Sequence, residues 1–545
     1  MVLLNLNEQK KEVQLRVCSM KEGQGRGLGP TAVVRICFCF EAIMKLMSLF
    51  SKTVEMALNI WRSFWDAFIT NFGESQAQND VKAFEEMPGP RPLPFIGNLW
   101  RYFPIIGNYS LERLHRTYQK FYEEFGPIVR EKVFRDRTLV HVFHPDDMMT
   151  VYKADGNMPK RMSHRALERY RRERPHLYSG PGLFPSNDEE WYNFRHLFQN
   201  LLMNDESVDA CSNALEDITD EMVAKISTEL DENKEIDLTP LLFNWALECI
   251  GSITLNRRLG CLSTEGNKEA ELLVKAANDT HTAIFLTEAT PISYNASYKK
   301  LEEAQNLFSE VVSKYLDEVI EDIENGKNTD SLVAQMLKIE DASKKDVFTM
   351  ILDMFMAGID TTAFTLSFAL YNLAKNKEVQ QKLREELIEL LPTKRDRFTG
   401  AFLRKYRYLR AVVKETLRVN PVAIGTGRIL QEDLVLGNYC VPAQTMVILQ
   451  HQAASLQEQF FPNAHQFDPD RWKRHEVTNN VSCPFGYGHR TCVGMKFAYR
   501  ELYLALSKMV RSFDISYHYE DIDSVNRLIN VPDKPLRLRL QPIIE

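Results

Sequence analysis

Pro484-Phe485-Gly486-Tyr487-Gly488-His489-Arg490-Thr491-Cys492-Val493-Gly494 leads straight into an apolar-periodic segment that predicts a helix from Met495 to about Phe513. One cysteine therefore sits where a glycine-rich turn enters a helix. The first amides of that helix and its macrodipole favour a thiolate, and glycines, lacking Cβ, let the backbone approach a flat partner closely. Such a cysteine is a nucleophile, a metal ligand or a plain structural thiol. Zinc is disfavoured, because Cys483, His489 and Cys492 lack zinc-site spacing and no second ligand pair follows. A Cys-His hydrolase is disfavoured because nothing in the sequence orients a histidine onto Cys492.

The 545 residues are 44% hydrophobic and 26% charged, which suits a large globular core and excludes disorder, collagen and coiled coil. A net charge of −7 makes the chain a poor binder of polyanions, so no nucleic acid partner is expected. Nine cysteines, none in a CxxC pair, point to a reducing compartment without a disulfide framework.

Upstream, the apolar stretch 31–50 is interrupted by Arg35, Glu41 and Lys45, so neither a membrane span nor a secretory signal is predicted. Residues 1–50 carry seven Lys/Arg against four Glu, net basic but not as acid-poor as an import presequence. Over 56–72, Leu58, Trp61, Trp65, Phe68 and Phe72 recur at helical steps and form an aromatic face. That amphipathic helix either docks on a core or lies in a membrane interface. The stiff segment Pro88-Gly89-Pro90-Arg91-Pro92-Leu93-Pro94 marks the boundary, with a targeting or membrane-associating region over 1–87 and the folded body over 88–545.

The body reads as mainly α with a small, separate sheet. Strands are predicted at 128–133, 138–143, 434–441, 445–449 and 536–540. A helix of roughly 50 Å is predicted from Ser343 to Lys375, capable of crossing a whole domain. Its apolar middle contains Gly358-Ile359-Asp360-Thr361-Thr362, which alone would be ordinary close packing with back-bonded threonines. Asp346, Asp353 and Asp360, seven apart, argue against a membrane span.

Phe485, Gly488, Arg490, Cys492 and Gly494 fill all five fixed positions of Phe-x-x-Gly-x-Arg-x-Cys-x-Gly, so the segment resembles the haem loop of the cytochrome P-450 superfamily. Three further motifs stand in the family's order. Ala357 to Thr362 resembles the oxygen-groove motif of the central helix, Glu415-Thr416-Leu417-Arg418 the Glu-x-x-Arg pair, and Phe467 to Trp472 the segment that adds Arg471. The resemblance implies a haem-thiolate fold with a long central helix over haem b (iron protoporphyrin IX).

It also implies the roles. Cys492 would be the axial iron ligand. Glu415, Arg418 and Arg471 would form a buried network fixing the loop. Trp191, Arg195, Arg428 and Arg490 would hold the haem propionates, with Phe485 beside the cofactor. Thr361 would hold the reacting oxygen by hydrogen bond and Asp360 would relay protons. Met356 and Ala357, with Val422, Ala423 and Ile424 after Pro421, are candidate walls of a substrate pocket, ordinary packing being the alternative. The implied activity is insertion of one atom of dioxygen into a lipophilic small molecule with electrons from NADPH.

Phe125 to Glu131, Arg172 to Leu183, Trp245 to Glu248 and Arg258 to Leu262 are similar to the animal mitochondrial clan, whose members include steroid, ecdysteroid and xenobiotic oxidases. After Gly494 the chain has Met495-Lys496, where that clan has two arginines and many microsomal relatives do not. Between Lys394 and Arg428 stand ten Lys/Arg and two acids. Within this run Arg410 and Lys414 occupy the positions where mitochondrial members dock an acidic ferredoxin served by an NADPH-dependent reductase. The expected location is the mitochondrial inner membrane, by peripheral contact, with the endoplasmic reticulum as the alternative. A hydroperoxide isomerase or dehydratase and a non-catalytic haem sensor are the competing functions; Asp360-Thr361 argues against the first, and a sensor needs neither a proton relay nor a docking face.

Overall fold

The computed structural model describes residues 81–543 except 104, 135–136, 264–266, 290–293, 394–395, 399–404 and 475–479. The aromatic-faced segment 56–72 and the basic stretch 1–50 lie outside the described residues. The compact body begins at Val81 rather than at Pro88. The seven residues in between already belong to it, since Lys82 exchanges backbone hydrogen bonds with Asn438 and Cys440 and Met87 is buried.

The central helix runs Lys344–Lys375. Ser343 Oγ accepts from Asp346 N at 3.2 Å while the Asp346 carboxylate accepts from Ser343 N at 2.9 Å, a reciprocal cap that sets its start. Among the described residues it is the one helix long and apolar enough to cross a bilayer, and it lies inside the core. Gly358 faces Ile250 of the helix Thr239–Leu255, and a Cβ there would come within 2.9 Å of Ile250 Cδ1. The glycine of the oxygen-groove motif is thus a helix-packing residue. The helix Met495–Ser512 packs along the central helix, buries Leu502, Leu506, Met509 and Val510, and so joins the cysteine loop to the main core.

Stretches resembling the mitochondrial clan act as joints. The buried Glu248 carboxylate takes Arg258 Nε at 2.6 Å and the amides of Leu259 and Cys261 at 2.9 and 2.7 Å, tying two separate sequence segments together. The Arg172 to Leu183 stretch closes over the central helix, where Asp353 holds Arg171 Nη2 and the amide of Leu183, each at 2.7 Å. Gly182, at φ +85°, turns there because a Cβ would strike the Arg171 guanidinium.

The described residues contain four small sheets. The largest orders Ile128–Phe134, Arg137–Val142, Met446–Leu449 and Thr426–Ile429, with only the middle pair parallel. The predicted strand 434–441 is a hairpin, Leu434–Leu436 against Tyr439–Val441. Gly437 and Asn438, at φ +55° and +68°, supply the turn geometry that a two-residue hairpin loop requires. The predicted terminal strand 536–540 runs Arg537–Pro542, beside Glu235–Asp237 and Phe513–Ser516, which with Thr426–Ile429 and the pair Ser524–Arg527 and Ile529–Pro532 are too short for alternation to reveal.

Candidate active site

Gly486 and Gly488 lie at φ +73° and +75°, which carries the chain from Phe485 back into the short turn Gly488–Arg490. Cys492 N then donates to Phe485 O at 3.0 Å, closing the loop on itself. Burial pushes the Cys492 thiol up, while the amides of Gly494 and Met495 and the cations Arg195 and Arg161 act against that rise. Cys492 nevertheless keeps an open face. The Phe485 ring lies 4.9 Å from that of Tyr499 of the following helix, tilted by 52°. The other five cysteines among the described residues are free as well.

Around this sulfur the fold gathers arginines. Arg195, on the helix Asp188–Leu202, donates to Thr491 O at 2.9 Å, one residue from the cysteine. Trp191, one turn earlier, is buried and lies under the Arg490 guanidinium at 4.3 Å. Arg490 itself reaches Pro159 O and Ser186 O, both at 2.7 Å, yet its buried Nη1 has no partner. Arg428, on the sheet strand Thr426–Ile429, pairs with Asp155 at 2.5 Å.

A further member escaped sequence reading. Arg161 donates to Phe184 O at 3.1 Å and leaves its buried Nε without a partner. It belongs to no motif and stands outside every helix and strand, so no periodicity could have found it.

Burial, then the neighbouring guanidinia Arg161 and Arg428, push Arg490 down to about 8. Burial likewise brings Arg161 and Arg195 down to about 10, Arg428 adding to the effect on Arg161. Asp155 offsets Arg490 and pairs with Arg428, while Glu288 and Asp353 act against the shift of Arg161. Cations so placed, with free donors, suit two further carboxylates among them, because charge-assisted bonds would offset the desolvation cost. The chemistry of this donor set fits a haem whose propionates meet Arg161, Arg195, Arg428 and Arg490 while Cys492 ligates the metal.

Glu415 and Arg418, on the helix Arg407–Val419, are fully buried with Arg471. Glu415 Oε1 accepts from Arg418 Nη2 at 2.8 Å and from Arg471 Nε and the amide of Asp468, each at 2.9 Å. Its Oε2 accepts from Arg418 Nε and Trp472 Nε1 at 2.9 Å. The arginines spend their other donors on the carbonyls of Ser455, Pro462, Asn463, Ala464 and Gln466. One carboxylate thereby organises residues 455–472.

On the central helix, Ala357 and Thr361 are half-buried while Met356, Ile359, Asp360 and Thr362 are buried. Thr361 Oγ1 donates to Ala357 O at 2.7 Å, which leaves its lone pairs as acceptors. Asp360 Oδ2 lies 2.7 Å from Nδ1 of His281, a contact between residues 79 apart that the sequence did not announce. Of the candidate pocket walls, Met356 and Val422 are packed into the core, whereas Ala357, Ala423 and Ile424 keep partial exposure. Arg410 and Lys414 are exposed on this helix, with Lys414 Nζ 5.3 Å from the ring of Trp472, the indole that donates to Glu415. Lys496 pairs with Asp205 at 2.6 Å.

A mainly helical body in which a glycine-turned loop sets Cys492 beside buried arginines fits the haem-thiolate class of oxidoreductase. The sequence model of the cytochrome P450 family matches residues 87–540, and the chain belongs to that family, whose members are monooxygenases that bind haem b. It is 34% identical over 478 residues to cytochrome P450 302a1, mitochondrial, of Drosophila melanogaster, covering 85% of this chain and 96% of that protein. Identity is 32% to the probable cytochrome P450 49a1 of the same fly, over 84% of this chain and 83% of the relative. With cytochrome P450 27C1 of Danio rerio it is 29%, over 81% and 83%.

Proposed function

We propose that the protein is a mitochondrial monooxygenase that hydroxylates a lipophilic substrate of steroid, ecdysteroid or xenobiotic type, with electrons passed from NADPH through an acidic ferredoxin. The observation that carries the electron-source reading is the exposed pair Arg410 and Lys414, one turn apart on the helix that also holds Glu415 and Arg418. Relatives named mitochondrial support the location. Peripheral membrane contact is supported by Phe95, Ile105 and Ile106, which are 88%, 96% and 64% exposed within one short segment.

Haem bound here would supply dioxygen activation, its thiolate ligand pushing electron density toward the metal so that the O–O bond can break. The chain's part is to hold that cofactor by Cys492 and the four arginines, to keep its proton acceptors placed, and to position the substrate. Thr361 Oγ1, its own proton committed to Ala357 O, would accept a hydrogen bond from a hydroxyl held beside it. Asp360 supplies the proton. Because positioning chooses the carbon attacked, the half-open residues Ala357, Ala423 and Ile424 bear on regiochemistry.

Reconstitution tests the partner. Acidic ferredoxin with its reductase supports turnover at a rate that falls as salt rises, and Arg410→Gln/Lys414→Gln lowers the low-salt rate about tenfold, since complementary charge acts mainly on association. Equal rates for the double variant and the wild type at low salt would remove the docking face. Turnover with the microsomal flavoprotein reductase alone would remove the mitochondrial reading.

Thr361→Ala leaves haem content and substrate-induced Soret shift near wild type but diverts electrons from product to hydrogen peroxide. Product and peroxide per NADPH, measured with the steroid or lipid that gives the largest Soret shift in a panel, check this. Unchanged coupling would place proton handling elsewhere.

A further inference from the structure

Asp346, Asp353 and Asp360 stand at seven-residue spacing on one helix, yet their carboxylates are partnered differently. Asp346 caps the helix start and Asp353 is satisfied at both oxygens by Arg171 and the amide of Leu183. Asp360 has His281 on Oδ2, while its Oδ1 is buried and without a partner. In a core, a free carboxylate oxygen is costly and is retained where it does something.

His281 belongs to the helix Lys268–Ala289, which packs against the central helix. Its side chain is 8% exposed against 1% for Asp360, so the imidazole has a contact with its surroundings that the carboxylate lacks. One heptad further along, Glu288 accepts from the backbone amide of His164, and Thr280 is held by Gln305 at 3.0 Å, so both flanks of His281 are anchored. The imidazole is therefore fixed against Asp360 by tertiary contacts.

Resting on the assignment of Asp360 and Thr361 above, we propose that His281 is the positioning residue that both orients Asp360 and recharges it with protons. Carrying a proton on each ring nitrogen, His281 gives the one on Nδ1 to the Asp360 carboxylate at Oδ2 and is left as a neutral imidazole. The carboxyl group turns about Cβ–Cγ, releases the proton to the acceptor held by Thr361 and is a carboxylate again. With the carboxylate turned away, a hydronium ion returns a proton to Nδ1 and leaves as water before the next pass. Each pass moves one proton, and two passes meet the demand of one monooxygenation.

His281→Asn separates orientation from supply, because an amide N–H can replace Nδ1–H toward Asp360 but cannot carry a proton through. The expected variant keeps the wild-type carbon monoxide spectrum and Soret shift with the panel's best steroid or lipid, while product per NADPH falls about tenfold and the solvent deuterium isotope effect on turnover grows. Oxidation driven by cumene hydroperoxide, which brings its own oxygen atom, electrons and proton, is retained; a merely structural defect would lower both. A second readout needs no turnover: in the diamagnetic carbon monoxide form, the ring 15N signal lost in His281→Asn moves when Asp360 is replaced by Asn.

Wild-type coupling and isotope effect in His281→Asn, or an unmoved 15N signal, would overturn the proposal. If Asp360→Asn and Thr361→Ala uncouple while His281→Asn does not, this inference alone falls. Full coupling in all three would remove the assignment of Asp360 and Thr361 as well.

Discussion

Cys492→His abolishes the strongly red-shifted Soret band that the reduced protein shows with carbon monoxide. That band requires an anionic sulfur on the iron, and a neutral imidazole cannot provide the same donation. The geometry makes the loss complete, because Cys492 is the cysteine seated where Arg195 meets the Thr491 carbonyl and where the helix amides of Gly494 and Met495 favour the thiolate. Cys483, nine residues earlier, is the internal control. Burial pushes its thiol up to about 11 and its sulfur turns to the carbonyl of Asn480, so Cys483→Ser keeps the band. A red-shifted band in Cys492→His, or its loss in Cys483→Ser, would reassign the ligand.

Glu415→Gln costs about 3–5 kcal/mol and depresses haem content, because it leaves Arg418 and Arg471 buried opposite a neutral amide. Against a total stability of about 5–15 kcal/mol, that loss threatens the folded holoprotein. The side chain accepts five hydrogen bonds, from Arg418, Arg471, Trp472 and the amide of Asp468, and a glutamine has one oxygen fewer to offer. Haem per protein and the denaturant midpoint check it. Arg410→Gln, on the exposed side of the same helix, is expected to shift stability by less than about 0.5 kcal/mol. Equal midpoints for the two variants would mean that the network is dispensable.

Much of this site was legible in the chain because its chemistry is local. A cysteine beside glycines at a helix start is a constraint spanning eleven residues, and backbone dihedrals at Gly486 and Gly488 follow from it. Glu415 and Arg418 are one helical turn apart, as are Trp191 and Arg195, so helix geometry alone puts each pair on one face. The 32 residues of the central helix were equally readable, their start set by the Ser343–Asp346 cap and their length by uninterrupted apolar character.

Tertiary structure decided what depends on distant parts of the chain. Arg161 joins the cationic set only because the loop before residue 165 is folded against Phe184 and Asn187, and its own neighbours in sequence carry no sign of that. The hairpin at Gly437-Asn438 could be taken for one strand, since two positive-φ residues interrupt an apolar run without breaking it. His281 meets Asp360 because two helices cross, and a contact over 79 residues leaves no periodic trace in either. Motif chemistry is written within a turn or two of backbone; the charge environment that tunes it is assembled by packing.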